Sequence, residues 1–168
     1  MKHSQIISNQ IKQANPGQQD IMTPFIAETD GVSVRVRLDL WDRLSVSLVD
    51  VKVIRSDSQA GESGQIFKDQ CSCLAGRIGY LEESLSAVEV DETGRIGIIR
   101  SDPPRAEEST ISFFEIEVNG KSGRIFLKRV VHDSVSGQIR PGRTVLGYHL
   151  LSRLIDDLSS AATDIFAR

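Results

Sequence analysis

A chain of 168 residues, 39% apolar and 26% charged, is long enough to bury one real core and has the make-up of a globular rather than a disordered or membrane protein. Its formal net charge of −3 and pI near 5.6 argue against a general nucleic-acid binder, which needs a net basic surface to displace counterions from phosphates. Two cysteines are too few for a disulfide scaffold, and no run approaches the ~20 apolar residues that cross a bilayer. The opening MKHSQIISNQIKQANPG is broken by Ser8, Asn9 and Gln10 and does not read as a secretory signal. The expectation is a cytoplasmic protein with residues 1–168 in one domain and with neither membrane nor nucleic acid as a partner.

Ile6, Ile7 and Ile11 recur at helical spacing and predict a short amphipathic helix stopped by Asn15, Pro16 and Gly17. From Gly17 to Gly31 no period is visible, and the segment reads as a surface connection. VSVRVRLDL then alternates, with Val32, Val34, Val36, Leu38 and Leu40 on one side of a half-buried strand. Its partner is LSVSLVDVKVIR. A three-residue loop of Trp41, Asp42 and Arg43 would set Leu40 against Leu44, Leu38 against Val46 and Val36 against Leu48. Past Leu48 the apolar set shifts to Val49, Val51 and Val53, which predicts a β-bulge near Leu48 and Val49.

In QIFKDQCSCLAGRIGYLEES, Phe67, Cys71, Leu74, Ile78 and Leu81 step by four, three, four and three, the stripe of a helix. Residues two apart on a helix point about 200° apart, so Cys71 and Cys73 cannot grip one ion from that helix. The histidines at 3, 132 and 149 are scattered, so no metal site or cofactor is expected. A strand here would set both sulfurs on one face.

Four antiparallel strands are predicted after Glu83. Val90 is set against Ile96 and Val88 against Ile98, around a turn through Asp91 to Gly94. In the next hairpin Val118 meets Ile125, Ile116 meets Leu127 and Glu115 meets Lys128, so apolar matching and opposite charge agree. After the loop DSVSGQIRPGR, Thr144 is expected to cap a helix running to Phe166, with Tyr148, Leu151, Leu154, Ile155, Leu158, Ala162 and Ile165 on its main face. Leu146 and Leu150 fall off that stripe and would leave apolar surface for a subunit partner. VIRSDSQAGES and IIRSDPPRAEES echo each other, either as a duplicated unit or because strand ends share few turn residues.

The order α-β-β-α-β-β-β-β-α is that of an α+β protein built on an antiparallel sheet of about six strands. In layout it resembles type III secretion chaperone-like domains. That resemblance implies an acidic, commonly homodimeric domain that holds unfolded segments of partner proteins. The expected function is therefore a non-enzymatic domain binding a protein or peptide through a sheet edge or an apolar helix face. Residues that would carry it are Trp41, as an anchor at the hairpin tip unless it folds back on the core, with Arg35, Arg37, Leu146 and Leu150. The rival expectation is a small-molecule or anion site, possibly of an enzyme, using Arg140 and Arg143 beside a helix N-terminus together with His132 and His149. No catalytic constellation is recognisable, since no serine sits in a G-x-S-x-G elbow.

Overall fold

The computed structural model describes residues 1–15, 23–58, 64–93 and 95–166. These form three helices, α1 (His3–Gln13), α2 (Gly64–Arg77) and α3 (Tyr148–Phe166). With them come ten strands: β1 (Phe25–Thr29), β2 (Val32–Trp41), β3 (Ser45–Arg55), β4 (Leu85–Asp91), β5 (Ile96–Ser101), β6 (Arg105–Glu107), β7 (Thr110–Asn119), β8 (Arg124–Asp133), β9 (Ile139–Pro141) and β10 (Thr144–Gly147). The strands make one antiparallel sheet whose main order is β1-β2-β3-β8-β7-β5-β4. The fold is α+β, but with ten strands where the pattern implied about six. The additions, β1, β6, β9 and β10, are three to five residues long, too short to display a period.

β1 replaces part of the surface connection expected between Gly17 and Gly31. It joins β2 through Asp30 and Gly31, both at positive φ, the two-residue hairpin turn whose twist matches that of paired strands. Pro16, Gly17, Gly94 and residues 59–63 of the polar linker, which the sequence reading used as breaks, lie outside the described residues.

Between β2 and β3, Arg37 faces Asp50 and Leu38 faces Leu48, so Val49 is an extra residue at the expected bulge. A second irregularity at Asp39 places Leu40 against Ser47 and Trp41 against Val46, correcting the three-residue loop. The Asp42 carboxylate sets this register by accepting the backbone N–H groups of Leu44 (2.7 Å) and Ser45 (2.8 Å). In the β4–β5 hairpin Val90 faces Gly97 and Glu89 faces Ile98, one residue from the expected pairing, because the ladder breaks at Val88. The β7–β8 hairpin keeps the expected register.

The stripe from Phe67 to Leu81 is buried along α2 and a short 3-10 turn, Gly79–Leu81. Cys71 is buried and Cys73 exposed, so the two sulfurs do face different surroundings. The last helix begins at Tyr148, four residues later than Thr144 would start it. Thr144–Gly147 instead pairs with Leu48–Ser45 of β3, a ladder that gives those backbone groups their partners.

All three helices pack on one face of the sheet. α1 and α2 both touch α3, and α3 lies over β2, β3, β8 and β10. Val34, Val36, Leu38, Val51, Val53, Ile116, Ile125 and Leu127 point into this single core. Among the described residues no helix lies on the opposite face.

β3 divides its edge between two neighbours, with Asp50–Ile54 on β8 and Ser45–Leu48 on β10. β8 divides likewise, since Val130–His132 turns to β9. The segment from Ile139 to Gly147 therefore fills a fork where β3 and β8 part. Gly142 sits at its apex, donating its N–H to the Arg129 carbonyl (2.9 Å). A Cβ there would lie 3.0 Å from Arg129 Cγ and Val131 Cγ2. Beyond the fork, β6-β7-β8-β9 continue as a four-stranded arm.

Candidate interaction surface

Strand register fixes which side chains share the uncovered face. One row crosses the sheet as Ile26, Arg35, Lys52, Phe126, Glu117, Ile98 and Glu89. The next runs Arg37, Asp50, Lys128, Glu115 and Arg100. Most of these charges are matched to a neighbour. Arg37 clamps Asp50, Arg124 meets Glu117, and Glu115 lies between Arg100 (2.8 Å) and Lys128 (3.5 Å). Arg143 binds Asp39 at 2.7 Å. Burial alone would raise the Asp39 pKa, but hydrogen bonds from Ser47 and Arg143 and the charge of Arg143 outweigh it and hold the carboxyl below its ordinary value.

Arg35 and Lys52 break this pattern. They are direct cross-strand partners with like charge, and among the described residues neither has a carboxylate partner. Lys52 instead places its ammonium 5.4 Å from the centre of the Phe126 ring, which Lys128 approaches from 5.8 Å.

The same face is apolar along the arm. Ile111, His132 and Ile139 lie side by side, as do Phe113, Val130 and Pro141. Ile139 is 72% exposed, and Ile111, Phe113 and Val130 are half-buried. Across the Arg143–Asp39 pair the patch resumes with Leu40 (69% exposed) and Val145 (73% exposed), which flank Ser47. Neither stripe was visible in the sequence, since each forms only when three strands come into register.

The sheet edges are less available. At β1, the Gln10 side chain donates to the Ile26 carbonyl (2.7 Å) and accepts the Ile26 N–H (3.2 Å), occupying the outward backbone groups as a further strand would. At β4 the ladder is broken at Val88 and the strand carries Glu89 and Asp91. Bulges and charges are the usual means of discouraging edge pairing.

The residues singled out from sequence are dispersed. Arg35 lies on the open face, exposed, while the Arg37 guanidinium is taken by Asp50. Trp41 turns to the helix side, edge-on to Phe25 at 5.5 Å, and lines a cleft of about 800 Å³ with Ile11 and Tyr148. Leu146 is a core strand residue, 5% exposed, rather than part of a bare helix face, and Leu150 is half-buried against the core. The anion loop loses its helix N-terminus, because α3 starts at Tyr148, well past Arg143. Its members also separate: Arg140 pairs with Val131 and so faces the opposite side of the arm from His132, and His149 is exposed on α3.

A cleft of about 560 Å³ on the helix side of the arm holds Arg143 together with Arg105 and Arg129, but neither histidine. Arg129 is committed there, donating to Glu83 (2.6 Å) and Ser112 (2.8 Å). Among the described residues no His, Cys, Asp and Glu group of three or more is placed to hold a metal ion, and no helix is long and apolar enough to cross a membrane. No family model, curated protein or solved structure matches this chain.

Proposed function

We propose that this protein is a non-enzymatic interaction domain that holds a segment of a protein partner on the helix-free face of its sheet. The observation that carries this reading is the apolar surface of the arm, Ile111, Phe113, Val130, Pro141 and Ile139, on a face no part of the described chain covers. Contiguous exposed apolar surface of this kind is disfavoured on a chain that works alone in water and marks contact sites. The layout resembling type III secretion chaperone-like domains belongs to the same reading, with the open face in place of a sheet edge or helix face as the docking surface. Arg35 keeps its assigned role, and Trp41, Leu146 and Leu150 become framework residues behind it.

Site-specific photocrosslinking tests this. A benzoylphenylalanine at Ile139 or Val145 should capture a partner in the native host, and one at Cys73, exposed on the helix side, should not. Capture from Cys73 with none from the open face would overturn the reading, as would absence of any capture. Crosslinks between copies of the chain, with concentration-dependent sedimentation, would make the homodimer the assembly that uses this face.

A further inference from the structure

We infer that the partner segment is an extended strand of two chemistries, an acidic stretch seated on Arg35 and Lys52 and an apolar stretch seated on Phe113, Val130 and Ile139. The inference rests on the open-face reading and adds the partner's chemistry to it.

The acidic half follows from charge matching. Arg37, Arg124 and Lys128 spend their charge on carboxylates of the same face, whereas Arg35 and Lys52 sit opposite each other with none among the described residues. Like charges directly opposed on adjacent strands repel, and a carboxylate placed between them removes that repulsion. On a chain whose net charge is −3, the middle of this face still gathers five cations, Arg35, Arg37, Lys52, Arg124 and Lys128, against Asp50, Glu115 and Glu117. A local excess of cations on an acidic protein selects an acidic segment and repels most others.

The apolar half follows from the strand. Phe126, Lys128, Val130 and His132 alternate out of β8 onto this face, so Val130 lies about 13 Å and His132 about 20 Å along from Phe126 at roughly 3.3 Å per residue. A segment running beside β8 would place carboxylates at one end and apolar side chains about four to six residues away. A nucleic acid fits less well, because its evenly spaced phosphates would meet Glu115, Glu117 and Asp50 beside Arg35 and Lys52.

The probe is a fluorescein-labelled peptide of about ten residues with two glutamates, a serine spacer and a Leu-Val-Leu block, followed by fluorescence anisotropy with the full chain. Binding should weaken about tenfold when Arg35→Glu and Lys52→Glu are combined, and should lose most of its salt dependence. Val130→Ser with Ile139→Ser should weaken it as well, with circular dichroism and Tm unchanged because these side chains are not core. Equal binding of a peptide with lysines for the glutamates would overturn the inference while leaving the open-face reading intact, provided the Val130 and Ile139 changes still weaken it. Binding unaffected by every one of these substitutions would remove both. Absence of binding would overturn the inference alone, and equal competition by a short oligonucleotide would replace the acidic segment with a general polyanion.

Discussion

A nearly buried ion pair braces the base of the arm, and removing half of it is the sharpest test of how the open face is held in place. Arg129 and Glu83 are only 10% and 13% exposed and meet at 2.6 Å. The same guanidinium donates to Ser112 and lies 4.7 Å from the Phe114 ring centre, and the Arg129 carbonyl accepts the Gly142 N–H at the fork. Charges centred about 4 Å apart attract by about 4 kcal/mol at an effective dielectric near 20, and withdrawing both from water offsets much of that. Glu83→Ala removes the attraction and keeps the desolvated cation, so it should cost about 3–5 kcal/mol, a large part of the roughly 5–15 kcal/mol that holds a domain together. Glu83→Leu combined with Arg129→Met removes both charges, keeps the volume and should cost about 1 kcal/mol or less. Urea unfolding of the wild type, Glu83→Leu, Arg129→Met and their combination gives the coupling directly, with m-values checked for constancy. A Glu83→Ala loss under about 1 kcal/mol, the range of exposed pairs, would refute the reasoning. So would a double variant whose loss is the sum of the single losses.

The sheet and α2 meet closely at Gly97, where an added Cβ would lie 2.6 Å from Cys71 Sγ. Gly97→Ala should therefore cost about 1–3 kcal/mol, and Cys71→Ala in the same chain should recover much of it; additive losses in urea melts would show that the sulfur is not the obstacle. Burial pushes the Cys71 thiol up to about 11, so a thiol reagent near pH 8 should modify Cys73 alone until denaturant is added, and equal native rates for both would contradict the buried placement. The Asp42 carboxyl is held below its ordinary 3.8 by the Leu44 and Ser45 N–H groups. A depressed carboxyl pKa stabilises the fold above the unfolded value and loses that effect as pH falls through the folded one. Asp42→Ala should accordingly lower Tm at neutral pH, with the gap to wild type closing in acid; a gap that widens in acid would reverse the assignment.

What the sequence discloses depends on how much of a signal one element carries alone. The β7–β8 hairpin was readable because alternation and the Glu115–Lys128 match point to a single register over ten residues. α2 was readable from its stripe, and with it the divergence of Cys71 from Cys73. β1 carries a partial signal, since Asp30-Gly31 is a strong hairpin dipeptide but the five residues before it show little alternation of polarity. Thr144 reads as a helix cap from its residue type alone, but threonine suits a strand equally, and Thr144–Gly147 pairs with β3 before α3 starts at Tyr148. The open face was out of reach for a different reason. Its apolar and basic groups come from β2, β3, β7, β8, β9 and β10, and only the bulge at Val49, the fork at Gly142 and the return of β9 bring them together.

The contrast between edges and face is what supports the proposal that a partner would be held on the face. A chain under pressure only to stay monomeric would blunt its edges and also make the uncovered side of its sheet polar. Here the edges are blunted, by Gln10 against β1 and by the break at Val88 with Glu89 and Asp91 on β4. The uncovered side is not polar throughout: Ile139, Val145 and Leu40 are each more than two-thirds exposed on it, and Arg35 and Lys52 are left in mutual repulsion beside Phe126. Protection against unspecific pairing coexists with a costly surface a few strands away. That combination is expected of a protein whose contact is made by side chains matching side chains, with the partner's sequence read along β8 rather than its backbone added to the sheet.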